Sequence, residues 1–115
     1  MEIQERRKYF RIKMIIKVKT IREERFHYFY SRDLSIGGIF LETDTPYPVG
    51  TSFDLEIPLP EVADKINVTA VVVRVVPLED RQKGDTPGMG LHFSKIAPDD
   101  KAMLADFIAR EMARE

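Results

Sequence analysis

Apolar and polar residues alternate along much of the chain, and this period of two predicts short β-strands. Between residues 11 and 19 the even positions are apolar and most odd positions are basic, so we expect a strand with one basic face. The polar residues 22–25 separate it from an aromatic run at 26–31, and the two segments should form an antiparallel hairpin. In this run we expect core and cross-strand packing of the aromatic side chains, namely Phe26, Tyr28, Phe29 and Tyr30.

Four more segments have strand character. Residues 33–38 predict a turn, and residues 78–87 predict a solvated loop. The segment 67–76 is the most β-branched in the chain and is apolar on both parities toward its end, which predicts a central strand buried on both faces. The strands predicted after the hairpin are 39–43, 52–58, 67–76 and 88–93.

The C-terminal segment predicts an amphipathic helix over 98–114. Pro98 suits a first helical position, and Asp99 and Asp100 place negative charge where the helix dipole favours it. One apolar stripe is expected to cover the sheet, formed by Leu104, Phe107, Ile108 and Met112. About six short strands followed by one helix predict a mainly β fold, a small antiparallel barrel capped by the helix.

Length and composition narrow the class of protein. With 115 residues, the chain is expected to form one domain, with a flexible basic segment at 1–10, a barrel at 11–94 and the helix at 98–114. It has no cysteine and only two histidines, His27 and His92, which we interpret as surface or barrel-wall residues. No catalytic or metal-binding constellation can be assembled from these residues, so we expect neither an enzyme nor a metal site.

Sequence features bearing on location point to the cytoplasm. No run approaches the roughly 20 apolar residues of a membrane span, so no membrane insertion is expected. The N-terminus also lacks the apolar core of a secretory signal, so the chain is expected to be cytoplasmic.

The net charge of −1 hides an uneven distribution. Residues 1–25 hold nine Lys or Arg against four acids, which gives +5, and the rest holds nine against fifteen, which gives −6. A local basic block on a near-neutral chain favours a discrete anionic ligand over a nucleic acid polymer, which prefers a broad basic face. Two alternatives stay open from charge alone: a solvated basic face, and a basic and aromatic surface for RNA or single-stranded DNA.

Two short motifs carry candidate chemistry, and the first is the R-x-x-x-R pattern of Arg7 and Arg11. A guanidinium is a planar fork of donors that can bind phosphate, dock on guanine O6 and N7, or stack on a base. The spacing alone is weak, because Arg110 and Arg114 repeat it in the predicted helix, where surface charge explains it.

The second motif is D-x-S-x-x-G, formed by Asp33, Ser35 and Gly38 with Gly37 beside it. A carboxylate can accept guanine N1–H and its exocyclic amine, a hydroxyl can donate to phosphate, and glycine lets the backbone approach a ligand. An ordinary turn explains the same residues, since Asp and Ser commonly bond their own backbone.

The order of three motifs favours a binding site over surface charge and an ordinary turn. R-x-x-x-R, D-x-S-x-x-G and the G-x-G-x-x-F pattern at 88–93 occur in one order that resembles the PilZ domain, from about Arg6 to Ile108. The resemblance implies a six-stranded antiparallel barrel of the split-barrel type with a C-terminal helix. It also implies a bacterial, cytoplasmic receptor for the second messenger cyclic di-GMP, without enzymatic activity and with no cofactor besides that ligand.

Carried over by position, the resemblance makes Arg7, Arg11, Asp33, Ser35 and Gly38 ligand-binding residues, with Gly37 in the same turn. Arg6 stands directly before the first arginine of the motif, and by the same resemblance an arginine there implies binding of a mutually intercalated cyclic di-GMP dimer. The expected mode of action is an adaptor whose N-terminal segment and surface change on binding and regulate an unidentified effector protein, with an output such as motility, adhesion or exopolysaccharide. The alternative is a PilZ-fold protein interaction module that does not respond to nucleotide.

Overall fold

The computed structural model describes residues 11–114, whose strands form a closed antiparallel barrel. The barrel order is β3-β2-β5-β6-β7-β4, and β4 pairs back with β3, while the short β1 pairs with β3 alone. The elements are β1 (Ile12–Lys13), β2 (Lys17–Arg22), β3 (Arg25–Leu34), β4 (Gly38–Glu42), β5 (Ser52–Ile57), β6 (Ile66–Val76), a 3-10 helix (Leu78–Lys83), β7 (Gly88–Ile96) and α1 (Pro98–Ala113). This confirms the predicted mainly β fold with a six-stranded barrel and a C-terminal helix.

The core lies inside the barrel and continues under α1. Most inward residues of the strands are apolar, as in β5, where Phe53, Leu55 and Ile57 are buried and alternate with polar residues; Thr20 and Ser31 are buried polar residues. Helix α1 lies against β1 and β6 and buries the predicted stripe, while Met112 near its end is 38% exposed. No helix among the described residues is long and apolar enough to cross a membrane.

The strand predicted from Arg11 is interrupted at residues 14–16, between β1 and β2. The register shows one extra residue here, because Lys13 opposes Asp33 but Lys17 opposes Tyr30. The buried Ser31 hydroxyl fills the interruption, accepting a hydrogen bond from Ile16 N–H (2.9 Å) and donating one to Met14 C=O (2.6 Å). A β-bulge of this kind bends the strand while its backbone groups stay satisfied.

Two further predictions were wrong in detail. Strand β6 pairs on both sides, but it is buried on one face only, and Val73 is 56% exposed. The outer face of a single barrel meets solvent wherever no helix covers it, so a β-branched run can be half exposed. The loop after β6 also contains the 3-10 helix Leu78–Lys83, which starts after Pro77 and ends at Gly84 with φ 90°.

The aromatic run of β3 lies mostly on the outside, which corrects the expectation of core packing. Phe26, Tyr28 and Tyr30 are 58%, 57% and 55% exposed, because their parity faces away from the barrel. Phe29, of the opposite parity, packs edge-on against Tyr47 with ring centroids 5.9 Å apart. Alternation therefore holds in β3, but its outward positions carry aromatic instead of polar side chains.

The β2–β3 hairpin closes through a two-residue turn with both central residues in the left-handed region. Glu23 has φ 52° and Glu24 has φ 64°, and Arg22 and Arg25 form the closing pair. Type I′ turns require positive φ at both positions and strongly favour Asn-Gly, since a side chain with Cβ is strained there. The expected hairpin is confirmed, with residues at its tip that this turn disfavours.

We expect Ser31→Ala to lower the free energy of unfolding by about 1–3 kcal/mol, because the Ile16 N–H and the Met14 C=O would lose their partner. Urea unfolding followed by circular dichroism measures the change. Ser94→Ala is the matched control, since the exposed Ser94 hydroxyl donates only to the Thr69 carbonyl. Equal losses in the two variants would contradict the role assigned to Ser31.

We expect the double variant Glu23→Asn, Glu24→Gly to raise the free energy of unfolding by about 1 kcal/mol or more, because it relieves two left-handed residues. The control is Glu23→Gln with Glu24→Gln, which removes the same charges and keeps the strain. If the control stabilises the protein as much as the Asn-Gly variant does, charge and not backbone conformation is the cause.

Candidate functional site

The short pairing of β1 with β3 brings the two sequence motifs together. Ile12 opposes Leu34 and Lys13 opposes Asp33, so Arg11, just before β1, lies beside the start of the turn after β3. Arg11 Nε donates to Asp33 Oδ1 at 2.9 Å, and Arg11 Nη1 donates to Ser35 Oγ at 3.3 Å. Residues more than 20 positions apart thus form one cluster, as required if both motifs serve one ligand.

A β-bulge in β3 turns Asp33 outward. Ser31 and Leu34 are both fully buried, although an uninterrupted strand would place positions 31 and 34 on opposite faces. The register against β4 shifts between Ser31 and Asp33, with Arg32 as the extra residue, and the shift restores the inward position of Leu34. Bulges often re-aim a side chain in this way, and here the bulge leaves the Asp33 carboxylate able to meet Arg11 on the barrel exterior.

The turn after β3 is built around the Ser35 hydroxyl. Ser35 is 1% exposed, and its Oγ accepts hydrogen bonds from the N–H groups of Gly37 (3.2 Å) and Gly38 (3.1 Å). The same oxygen accepts the bond from Arg11, so this side chain both shapes the turn and anchors the guanidinium. The turn and binding interpretations of the motif are therefore compatible.

Gly38 is required by the close approach of β4 to β7. A Cβ at this position would collide with the backbone carbonyl oxygen of Leu91. Gly38 opposes His92 in the ladder, and the Gly37 carbonyl accepts a hydrogen bond from Phe93 N–H at 2.9 Å. The glycine of the motif thus fixes the turn onto β7 and keeps the surface in front of it clear of side chain.

An open groove of about 600 Å³ lies in front of this turn. Arg11, Ser35, Gly37 and Gly38 line one part of it, and β6 and β7 supply the remainder. A second groove of about 550 Å³ lies beside it, with Asp33, Lys13 and Arg32 among its lining residues. Arg11 is 45% exposed and Asp33 is 31% exposed along their side chains, so both groups are accessible to a ligand.

Arg74 and His92 also line the first groove, and the motifs did not identify them. Arg74 borders both grooves, and its guanidinium lies over the Phe40 ring, 5.3 Å from the centroid. Gly90 lies opposite Arg74 in the β6–β7 ladder. The available signal was that Arg74 is the one charged residue in the β-branched run 67–76.

Two predicted site residues, Arg6 and Arg7, lie outside the described residues 11–114. Within that range the guanidinium groups of Arg11 and Arg74 and the Ser35 turn line the first groove, and the Asp33 carboxylate, bonded to Arg11, lines the adjoining second groove. Guanidinium groups bind phosphates and guanine edges, and the carboxylate accepts paired N–H donors, so the cluster suits an anionic ligand with planar bases. No group of three or more potential metal ligands occurs in this part of the chain.

Solved structures share this architecture. The Bacillus subtilis inhibitor of motility, MotI/DgrA, is 29% identical, with a TM-score of 0.80 over 96% of this chain and 52% of that chain. The PilZ domain of YcgR from Escherichia coli, with c-di-GMP, is 23% identical, with a TM-score of 0.62 over 96% of this chain and 98% of that domain. YcgR in complex with c-di-GMP is also 23% identical, with a TM-score of 0.71 over 95% of this chain and 50% of that chain.

The chain therefore spans about half the length of MotI/DgrA and of the longer YcgR chain. A comparison with curated proteins gave no match. The family model of the PilZ domain matches residues 5–110, which covers both motifs, the barrel and most of α1. The chain belongs to the PilZ domain family.

Proposed function

We propose that this chain is a receptor for cyclic di-GMP that binds the nucleotide at the groove in front of the Ser35 turn and acts as an adaptor. The observation that carries the proposal is the cluster of Arg11, Asp33 and Ser35 at the groove rim. Family membership and the YcgR structures with c-di-GMP support the choice of ligand.

The chemistry of the ligand matches the groups in the groove. Cyclic di-GMP has two phosphates and two guanines, which need cationic forks and acceptors for guanine N–H groups. Arg11 supplies a fork to phosphate or guanine, and Asp33 accepts from guanine N1–H and the exocyclic amine. Ser35, Gly37 and Gly38 present a turn whose glycines let a ring or phosphate approach the backbone.

The N-terminal arginines complete the proposed site. Arg7 belongs to the same motif as Arg11 and adds a second fork, and Arg6 leads us to expect two intercalated ligands per chain. Seven basic residues and no acid occur between Arg6 and Lys19, a charge distribution that suits several phosphates. Binding of the ligand by the N-terminal segment with Arg6 and Arg7 would change the surface next to the groove. An effector protein would then recognise the changed surface.

The expected output is regulation of a partner protein in a bacterial cytoplasm. The similarity to MotI/DgrA, an inhibitor of motility, supports an output of this type. No chemical step is required of the chain, since binding and surface change are sufficient for an adaptor.

We expect the wild-type chain to bind cyclic di-GMP in calorimetry, in preference to GTP and cyclic di-AMP, with a stoichiometry near two ligands. Arg11→Ala should weaken binding at least about tenfold, because one charge-assisted fork is worth roughly 1.5–3 kcal/mol. Arg11→Lys should recover little of the loss, since an ammonium keeps the charge and loses the fork. Circular dichroism checks that each variant is folded.

The matched control is Arg110→Ala, because Arg110 belongs to the second R-x-x-x-R pair and is bonded only to Asp106 on the helix surface. Its affinity should equal that of the wild type. If the folded wild type fails to bind at roughly 100 μM ligand, about −5.5 kcal/mol, the receptor proposal is wrong and the nucleotide-independent interaction module replaces it.

We expect Arg74→Gln to weaken cyclic di-GMP binding by about tenfold, because its guanidinium faces the groove from β6. Gln keeps part of the stem over Phe40 and removes the charge. Arg81→Gln is the control, since Arg81 is bonded to Asp44 outside both grooves. Equal affinities for the two variants would place Arg74 outside the binding site.

A further inference from the structure

Strand β3 extends beyond β4 at its N-terminal half. Residues 25–30 pair with β2, but pairing with β4 begins only at Tyr30, which opposes Glu42. Among the described residues, the segment 25–29 therefore has a strand on one side only. An exposed strand edge with aromatic side chains is a template for another extended chain.

The backbone groups that point to the open side belong to Phe26 and Tyr28. Arg22 and Arg25 close a two-residue hairpin and form a hydrogen-bonded pair, and the pattern alternates along the ladder. Odd-numbered residues of β3 thus bond toward β2, as the bond from Ser31 N–H to the Ile16 carbonyl shows. Before the bulge at Arg32, the even-numbered residues 26–30 direct N–H and C=O to the other side, where Tyr30 meets β4.

A groove of about 420 Å³ lies alongside this edge, between the hairpin and the loop that carries Thr45 and Tyr47. The charged residues that line it are Arg22, Arg25 and Glu23, so arginines outnumber the acid, and His27 and two tyrosines line it as well. Arg22 also stacks on Tyr47, 4.8 Å from the ring centroid, which holds one cation at the groove wall. An extended segment in this groove would meet positive charge along one row of its side chains.

The outer face of β3 at this edge is aromatic, and two lysines of β2, the strand on the other side of β3, lie over its rings. Lys17 Nζ lies 4.9 Å from the centroid of the Tyr28 ring, and Lys19 Nζ lies 4.0 Å from that of Phe26. Glu56 is near Lys19 at 4.0 Å, but its carboxylate is bonded to Lys65 at 2.9 Å, and that bond lowers the pKa of Glu56 below its ordinary value. Glu56 therefore stays ionised between Lys19 and Lys65, whereas Lys17 forms no ion pair within residues 11–114, so the other row of an added strand also meets a cation at Lys17.

We propose that this edge, residues 26–29 of β3, binds an extended acidic segment of a partner protein by strand addition. The partner backbone pairs with Phe26 and Tyr28, one row of its side chains lies on the aromatic and lysine face, and the other row enters the groove. Positive charge on both rows selects an acidic segment. It also disfavours a second copy of this chain, because two identical basic edges would repel.

That this edge is the docking surface of an adaptor rests on the proposed function. The binding of a peptide to the edge is measured without nucleotide. The probe is a short fluorescein-labelled peptide that alternates glutamate with valine and threonine, and the comparison peptide has lysine in place of each glutamate. Fluorescence anisotropy should show binding of the acidic peptide only. The charge-reversed variant Lys17→Glu, Lys19→Glu should lose it by at least about tenfold. The titrations are repeated with Arg11→Ala, so a failure of nucleotide binding and a failure of peptide docking are read separately.

A matched pair of variants tests strand addition. Tyr28→Thr and Tyr28→Pro both remove the ring, but only proline removes the backbone N–H on the open side, and proline is tolerated at such edge positions. We expect Tyr28→Pro to bind the acidic peptide about tenfold more weakly than Tyr28→Thr. Equal affinities would overturn strand addition.

Amide hydrogen exchange of the wild type tests the same point if the proline variant does not fold. The Phe26 and Tyr28 amides should gain protection with the peptide, while the His27 amide, already bonded toward β2, should not. Preferred binding of an oligouridylate or of anionic phosphatidylserine vesicles over the acidic peptide would overturn the proposal. Analytical ultracentrifugation that shows self-association of the wild type, lost in the charge-reversed variant, would also overturn the proposal.

Discussion

Two backbone pairs, Ile12 with Leu34 and Lys13 with Asp33, set the geometry on which the groove depends. This pairing covers only two residues, and at the neighbouring interruption, residues 14–16, the buried Ser31 hydroxyl bonds the backbone of Met14 and Ile16. A slip of one residue would turn Arg11 toward the core and Ile12 toward solvent, at the cost of both burial and the cluster with Asp33. Stability and binding geometry are therefore coupled at the same few residues.

Alternation of apolar and polar residues predicted the strands well where each strand has one apolar face. The 3.6-residue period of the apolar stripe predicted the helix. Alternation did not predict the parity change in β3, because no residue in that strand signals that Arg32 is the extra one. It also misplaced Phe26 and its neighbours, since an aromatic side chain on an outward strand position has the same letter pattern as one in a core. The motifs identified Arg11, Asp33 and Ser35, whereas Arg74 became visible only once β6 and β7 were paired.

Strand β3 connects the two surfaces of interest. Its C-terminal end carries Asp33 next to Arg11, and its N-terminal half carries the exposed aromatic rings and the open edge. The two lie on one ten-residue strand whose middle is paired on both sides, so they are separate surfaces on a common rigid element. A nucleotide bound as proposed at one end would leave the other end free for the proposed protein segment.

The ion pair of Arg11 and Asp33 has a consequence for ligand choice. A simple anion that draws Arg11 away gains a cation but leaves the Asp33 carboxylate without its partner. A ligand that offers an acceptor to the guanidinium and, nearby, N–H donors to the carboxylate satisfies both halves at once. On the proposed function, the ion pair would therefore favour a guanine nucleotide, which satisfies both groups, over phosphate alone, which satisfies only the guanidinium.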